Sequence, residues 1–338
     1  MEGKPKLDKV LTGLGLTAAA AVLLMTSRAG LASGGIQPVN AGGSGFGDVG
    51  TGGGVGAAGD DEYQSGGSDE AELPATIVLS GTVRDFRERN TEGGHIDFEK
   101  KPDNGYGLYI GNIAEELDDE GKPVFVGGGD KIGGQWTDAS GRPIYPGLYD
   151  PQLGDQAGWI SKYNVPGGIH SAEGFAQWYR DVPGVNMSAP LDITLKLDED
   201  TGQYVFDDRE DSAYSSGFFP INGQLFGNSA GNNKNFHFTF ELNTEFTYEA
   251  DSGQVFTFRG DDDVWVFVDG RLVIDIGGVH SAKEQTVELD RLDWLVDGKS
   301  YSLNFFFAER HRTASNFRIE TTLSLRNGQL PTSSGLFD

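Results

Sequence analysis

Three consecutive carboxylates, Asp261, Asp262 and Asp263, stand directly in front of a strongly apolar β pattern in the stretch FTFRGDDDVWVFVDGRLVIDIGGVH, residues 256–280. Carboxylates crowded in this way raise one another's proton affinity unless a cation or hydrogen-bond donors neutralise them. From the residues alone two readings stand open. The triplet is either a solvated acidic turn or a seat for a hard divalent cation. Ca²⁺ accepts about six to eight oxygen ligands at flexible geometry, and adjacent aspartates with backbone carbonyls suit it.

The elements that position the triplet can be read around it. Asp269-Gly270 is a strong signal for a two-residue hairpin turn, so VWVFV and LVIDI are its strands and the acids lie at its open end. Trp265 and Phe267 alternate with Val264, Val266 and Val268, which places one of the two sets in the core. Trp265 is read as core rather than as a surface for stacking sugars. Further strands are expected at residues 76–86, 191–198, 203–208, 236–242, 245–250, 254–260, 301–310 and 317–325, each by period-two alternation or by β-branched and aromatic content. One helix is expected over 171–182: Ser171 can cap it, and Phe175, Trp178 and Tyr179 fall at i, i+3 and i+4, a stripe that would pack on a sheet. Residues 103–166 are rich in Gly, Pro and Asp without periodicity and are read as long loops inserted in the β framework. Together, residues 75–326 predict a single all-β domain, a sandwich or barrel of about 250 residues.

Composition restricts the partners. The chain of 338 residues carries a formal charge of −25, which repels nucleic acid and anionic membranes and favours cations. Lys4, Lys6 and Lys9 precede an uncharged run from Val10 to Ser27, followed by small residues at Gly30 and Ala32, the pattern of a cleaved export signal over 1–32. An uncleaved anchor is the alternative, and the one route to a membrane. Cleavage would remove four basic and two acidic groups and leave −27. Without cysteine, an exported chain has no disulfides, so its stability must come from a large core, bound ions or both. Residues 33–74 are Gly-rich and then acidic and predict a flexible linker, with residues 327–338 a short tail.

The central stretch, with NFHFTFELNTEFTYEADSG before it and FFFAERHRTASNFRIETTLSL after it, resembles the fibro-slime domain, a member of the protective-antigen-like β-domain superfamily. GTVRDF, HIDFE, FAQWYRDVPGVN and FFPING extend the resemblance over nearly all of residues 75–326. It implies a β-barrel or two-sheet sandwich. In lectin-like members two consecutive aspartates joined by a cis peptide hold Ca²⁺, which in turn ligates sugar hydroxyls. Matching that motif places the pair on Asp261 and Asp262, with Asp263 where a glycine often stands, so that Asp263 either adds a ligand or alters the turn. A second loop in those relatives supplies an amide and backbone carbonyls. AERHRTASNF is its counterpart by position, making Asn316 the candidate amide, with a turn residue as the alternative, and Glu309 a candidate acid. His280 and His311 would lie near the same rim as hydrogen-bonding residues; with no cysteine and no H-x-x-x-H spacing, zinc is not expected.

Other acidic stretches read more plainly. LDEDTGQY, residues 197–204, lacks the distal glutamate of an EF-hand loop and predicts a polar hairpin turn. Glycoside hydrolysis needs carboxylates on opposite sides of a bond, which neighbours on one loop cannot provide, and no nucleophile elbow, phosphate loop or metalloprotease signature is present. The expectation is therefore a secreted or cell-surface, non-catalytic, Ca²⁺-dependent module that binds an extracellular glycan or matrix polysaccharide. The alternative is a structural slime or matrix protein in which any ion only stiffens loops.

Overall fold

The computed structural model describes residues 73–214 and 216–328. The expected export signal, all but the end of the linker and most of the C-terminal tail lie outside the described residues. Strands follow in chain order: β1 (Thr76–Phe86), β2 (Tyr109–Ile110), β3 (Gly129–Gly134), β4 (Trp136–Thr137), β5 (Pro143–Ile144), β6 (Trp159–Val165), β7 (Asn186–Asp198), β8 (Gln203–Asp207), β9 (Phe238–Thr247), β10 (Val255–Asp261), β11 (Asp263–Val268), β12 (Arg271–Ile276), β13 (Lys283–Glu288), β14 (Ser300–Glu309), β15 (Asn316–Thr321) and β16 (Arg326–Asn327). One short helix, α1 (Ala172–Phe175), lies among them. The fold is the all-β class that the alternating pattern predicts.

Eleven strands make one antiparallel sheet in the order β12, β11, β14, β9, β1, β7, β8, β15, β10, β13, with β16 added beside β9. The sheet curls until its two edges face each other. There the Gln285 side chain of β13 imitates a neighbouring strand: its amide nitrogen donates to the Asp275 carbonyl and its oxygen accepts from the Asp275 N–H, each at 2.9 Å. A side-chain amide thus nearly closes the barrel and covers backbone groups that an edge strand would leave open.

The interior is aromatic because the inward positions of facing strands are phenylalanines. Phe317 is its hub: its ring stacks on Phe218 at 4.4 Å between centroids and meets Phe206, Phe258, Phe305 and Phe307 at 5.2 to 5.5 Å. A second apolar layer lies outside β11 and β14, where Phe98, Phe175, Trp178 and Tyr179 pack on Trp265, Phe267 and Phe306. Both alternating sets of β11 are therefore buried, not one. This double burial gives β11 its unbroken apolar run.

Several expected elements take a different form. The two strands expected at 236–242 and 245–250 are one continuous strand, β9, because Asn243 stays in the ladder opposite Asn304 and takes a 2.7 Å hydrogen bond from its amide. Residues 103–166 are not only loops; they hold a three-stranded sheet of β2, β3 and β6 and the β4–β5 pair. Those strands are short and interrupted by bulges, so alternation never becomes visible in the sequence. β13, also unexpected, is polar because it is an edge. The helix over 171–182 shrinks to a four-residue α1 capped by Ser171. Beyond it, the carbonyls of Gln177, Trp178 and Arg180 are taken by the side chains of Asn186 and Thr239. Its stripe still packs on the sheet as expected. The turn at 197–204 is the polar hairpin predicted, with Asp198 accepting from the amides of Asp200 and Thr201.

Asp85, fully buried on β1, accepts from Phe226 N at 2.7 Å and Asn235 Nδ2 at 2.8 Å, fastening the 226–235 loop. Burial outweighs these bonds and pushes its carboxyl up to about 7. A carboxyl whose folded value is raised stabilises the fold below its unfolded value, about 3.9, and loses that contribution as pH rises through the folded one. Asp85→Asn, which mimics the protonated group, should flatten the fall in unfolding free energy between pH 4 and 7. The slope should lessen by up to about 1.4 kcal/mol per pH unit; urea titrations at several pH values measure it, and unchanged slopes would refute the assignment.

Candidate functional site

The topology brings three chain crossings to one end of the barrel. β10 and β11 are consecutive in sequence but lie near opposite edges of the curled sheet, and the chain passes between them at Asp262. β12 to β13 crosses through residues 277–282, and β14 to β15 through residues 310–315. Strand register sets these segments side by side: Asp261 pairs with Asn316, Asp263 with Ala308 and Gly260 with Lys283. Gly260 is required there, since a Cβ would meet the Asn316 carbonyl oxygen at 2.2 Å. Phe317, the aromatic hub, fixes the position of Asn316 next to it.

A cavity of about 550 Å³ opens between the crossings, lined by Tyr106, Asp261, Asp262, residues 279–282, residues 311–314 and Asn316. Asp261, Asp262, Asn316, His280 and His311, all singled out from the sequence, thus meet at one place. The Asp261–Asp262 peptide is cis. Asn316 donates to Asp261 from its backbone N–H at 2.7 Å and from its amide to both carboxylate oxygens at 2.9 and 3.1 Å. Its amide oxygen accepts from Arg209 at 2.9 Å. Asp262 accepts from the backbone N–H groups of Arg310 at 3.1 Å, His311 at 3.0 Å and His280 at 3.3 Å. Opposite them, the Tyr106 hydroxyl meets His311 Nε2 at 2.8 Å, the two rings edge to face. Burial pushes His280 down to about 4, so its imidazole is neutral, and its Nε2 has no protein partner.

Asp263 does not reach this cavity. It is fully buried, and its oxygens accept from Arg310 Nε, Arg310 Nη2 at 3.0 Å and the N–H of Gly278, a glycine at φ +99°. Of the two roles expected for Asp263, ligand or altered turn, its carboxylate in this arrangement serves as an internal counter-ion to Arg310 and is absent from the cavity wall. Arg310, missed in the sequence, is as deeply buried, with Trp178 over its guanidinium at 5.0 Å and the Gly167 and Gly168 carbonyls at 3.4 Å. The signal that could have revealed it is a charged Glu309-Arg310 pair continuing straight from the apolar run FFFA.

Glu309 lies behind the cavity rather than on its wall. It is fully buried; one oxygen accepts a long bond from His311 N, 3.4 Å, and the carboxyl has only the Ser315 hydroxyl beside it in addition, with no bond of good geometry to its other oxygen. Burial, then the charges of Asp262 and Asp261, pushes its carboxyl well up, and burial followed by the Asp263 charge does the same to Asp262. Asp261 is raised by burial against the pull of Asn316. Arg310 balances Asp263, whereas Asp261, Asp262 and Glu309 crowd together with only neutral donors and are each pushed toward the protonated form.

Residues 222–333 match the PA14 domain. The match takes in all three crossings and every residue named in the cavity except Tyr106 and Arg209. The chain is also similar to proteins of Dictyostelium discoideum: protein psiD, 34% identical over 259 residues, 74% of this chain and 42% of psiD, and protein psiC, 39% identical over 171 residues, 48% of this chain and 31% of psiC. It thus spans well under half the length of these relatives. Among solved structures, a PA14 sugar-binding domain from an RTX adhesin aligns at 21% identity and a TM-score of 0.21, covering 30% of this chain and 54% of that domain.

The Asp263–Arg310 pair is the structural condition of the site. Arg310→Ala would leave an uncompensated buried carboxylate and should cost about 3–5 kcal/mol. Asp263→Asn/Arg310→Met should recover a substantial part of that loss by removing both charges. Urea unfolding of the two variants checks it; a double variant no better than Arg310→Ala would count against an electrostatic origin.

Proposed function

We propose that this chain is a fibro-slime-type PA14 module that binds extracellular carbohydrate in a Ca²⁺-dependent way, at the cell surface or outside the cell. The observation that carries the reading is the meeting of Asp261, Asp262 and Asn316 on the wall of one open cavity, with the buried Glu309 carboxyl behind them. The carboxylate oxygens fit a hard cation in kind, and Asn316 would add its amide oxygen by turning its side chain over, since that oxygen here accepts from Arg209 while the NH2 group donates to Asp261. Asp261 and Asp262 would hold the ion with Asn316, and Glu309 would add negative charge from behind. A bound Ca²⁺ supplies positive charge and coordination positions that sugar hydroxyls can share.

The remaining work belongs to the chain's own groups. Tyr106 offers an aromatic ring and a hydroxyl, and His280 and His311 offer imidazoles of fixed orientation, the mixture of apolar face and directed polar atoms that sugar sites use. The cavity opens to solvent, which favours a glycan-binding role over an ion that only stiffens loops. Asp261 and Asp262 are neighbours on one crossing and cannot take opposite sides of a glycosidic bond, which favours a non-catalytic role. The match to PA14 supports a binding domain, without fixing the glycan.

Calorimetric titration of Ca²⁺ into chelator-stripped full chain should show saturable binding that Asp261→Asn/Asp262→Asn abolishes with little change in circular dichroism. A glycan array probed with and without chelator then tests sugar binding, which should be lost with the ion. Wild-type calcium affinity in the double variant would sink the ion assignment; glycan binding indifferent to chelator would sink the coupling.

A further inference from the structure

We infer that Glu88, Glu99 and His237 form a second cation site, for a borderline transition-metal dication of the zinc class, separate from Asp261 and Asp262. Among the described residues these three bring their ligand atoms within 4.8 Å of one another. They come from three places: Glu88 just after β1, Glu99 in the segment that follows, and His237 just before β9. His237 Nε2 lies 3.0 Å from a Glu99 oxygen and 4.0 Å from a Glu88 oxygen. Ligands about 2.0 Å from a tetrahedral zinc sit about 3.3 Å apart, within that spread. The ring is also held for the task, because its Nδ1 meets Ser229 Oγ at 3.0 Å and Nε2 is thereby turned to the carboxylates. One imidazole with two carboxylates suits zinc, whereas calcium prefers oxygen alone.

The cluster already attracts a cation. Arg312 pairs with Glu88 and donates its backbone N–H to Glu99 at 3.3 Å, while its Nε, 3.7 Å from the same Glu99 oxygen, makes no hydrogen bond. One guanidinium against two carboxylates leaves one negative charge unanswered; a dication would answer both. Entry is open, since Glu88 and His237 line a separate cavity of about 160 Å³. Arg312 itself lines the Asp261 cavity. A metal that takes its place would therefore release a positive side chain at the rim of the neighbouring site. His311, 3.5 Å from Glu99 and hydrogen-bonded to Tyr106, ties the same network to that rim.

The test is calorimetric titration of Zn²⁺ into untagged full chain kept saturated with Ca²⁺, so that zinc cannot report on Asp261 and Asp262. Wild type should take up one zinc. His237→Gln and Glu99→Gln should weaken it at least about tenfold. Arg312→Ala should tighten it several-fold by removing the competing guanidinium. Two variants guard against misfolding, and circular dichroism of each confirms the fold. Equal zinc affinity in wild type, His237→Gln and Glu99→Gln would place the metal elsewhere. No saturable uptake in either wild type or Arg312→Ala would make the cluster an ion-pair network and end the proposal.

Discussion

The buried pair of Asp263 and Arg310 is the interaction on which the site rests. A barrel whose interior is phenylalanine must admit the polar chain wherever a strand crosses from one side to the other. Here three crossings converge, and two of them bring charged residues, Asp262 in one and Arg310 and Arg312 in another. Lodging Asp263 inward against Arg310 anchors the start of β11 to the end of β14 and, through Gly278 N, to the β12–β13 crossing. An ion pair so deep is weak evidence of net stability, since desolvation offsets much of the attraction. Its effect is positional: the same turn that sends Asp263 inward leaves Asp261 and Asp262 on the cavity wall.

From that constraint the electrostatics of the open end follow. With Arg310 balancing Asp263, the remaining carboxylates are restrained by backbone N–H groups and one amide, donors that orient them without cancelling their charge. The backbone amides of His280, Arg310 and His311 come from two different crossings yet converge on Asp262. Arg312 extends the arrangement outward, since it lies on the cavity wall and also in the Glu88, Glu99 and His237 cluster. Two negative clusters on either side of one loop share that single side chain.

Much of the fold was legible because the strands that carry it have strong local signatures. β1 was read to the residue, and the Asp269-Gly270 turn has both residues at positive φ, 53° and 75°, as a two-residue hairpin demands. Elements that depend on distant partners were not legible. β13 is polar and gains its place only through Gln285 and Asp275. The helix stops short of its expected length because Asn186, a few residues on, and Thr239, far along the chain, compete for its carbonyls. The small sheet of residues 109–165 is too short and bulged for periodicity to register.

The sequence by itself determined the all-β class and the hairpin that presents Asp261 and Asp262, because these follow from alternation and turn chemistry within one stretch; the company of Asn316 was only what the resemblance implies. Only the tertiary structure decided what each charge does. It turned Asp263 inward to Arg310, buried Glu309 behind the cavity, and joined Glu88 and Glu99 to His237 across more than 130 residues of chain, as the 138-residue separation of the last two records. The reason is physical: a carboxylate's role depends on its burial and on the cations and donors within a few ångströms, and those neighbours are assembled by strand register and sheet closure rather than by adjacency in the chain.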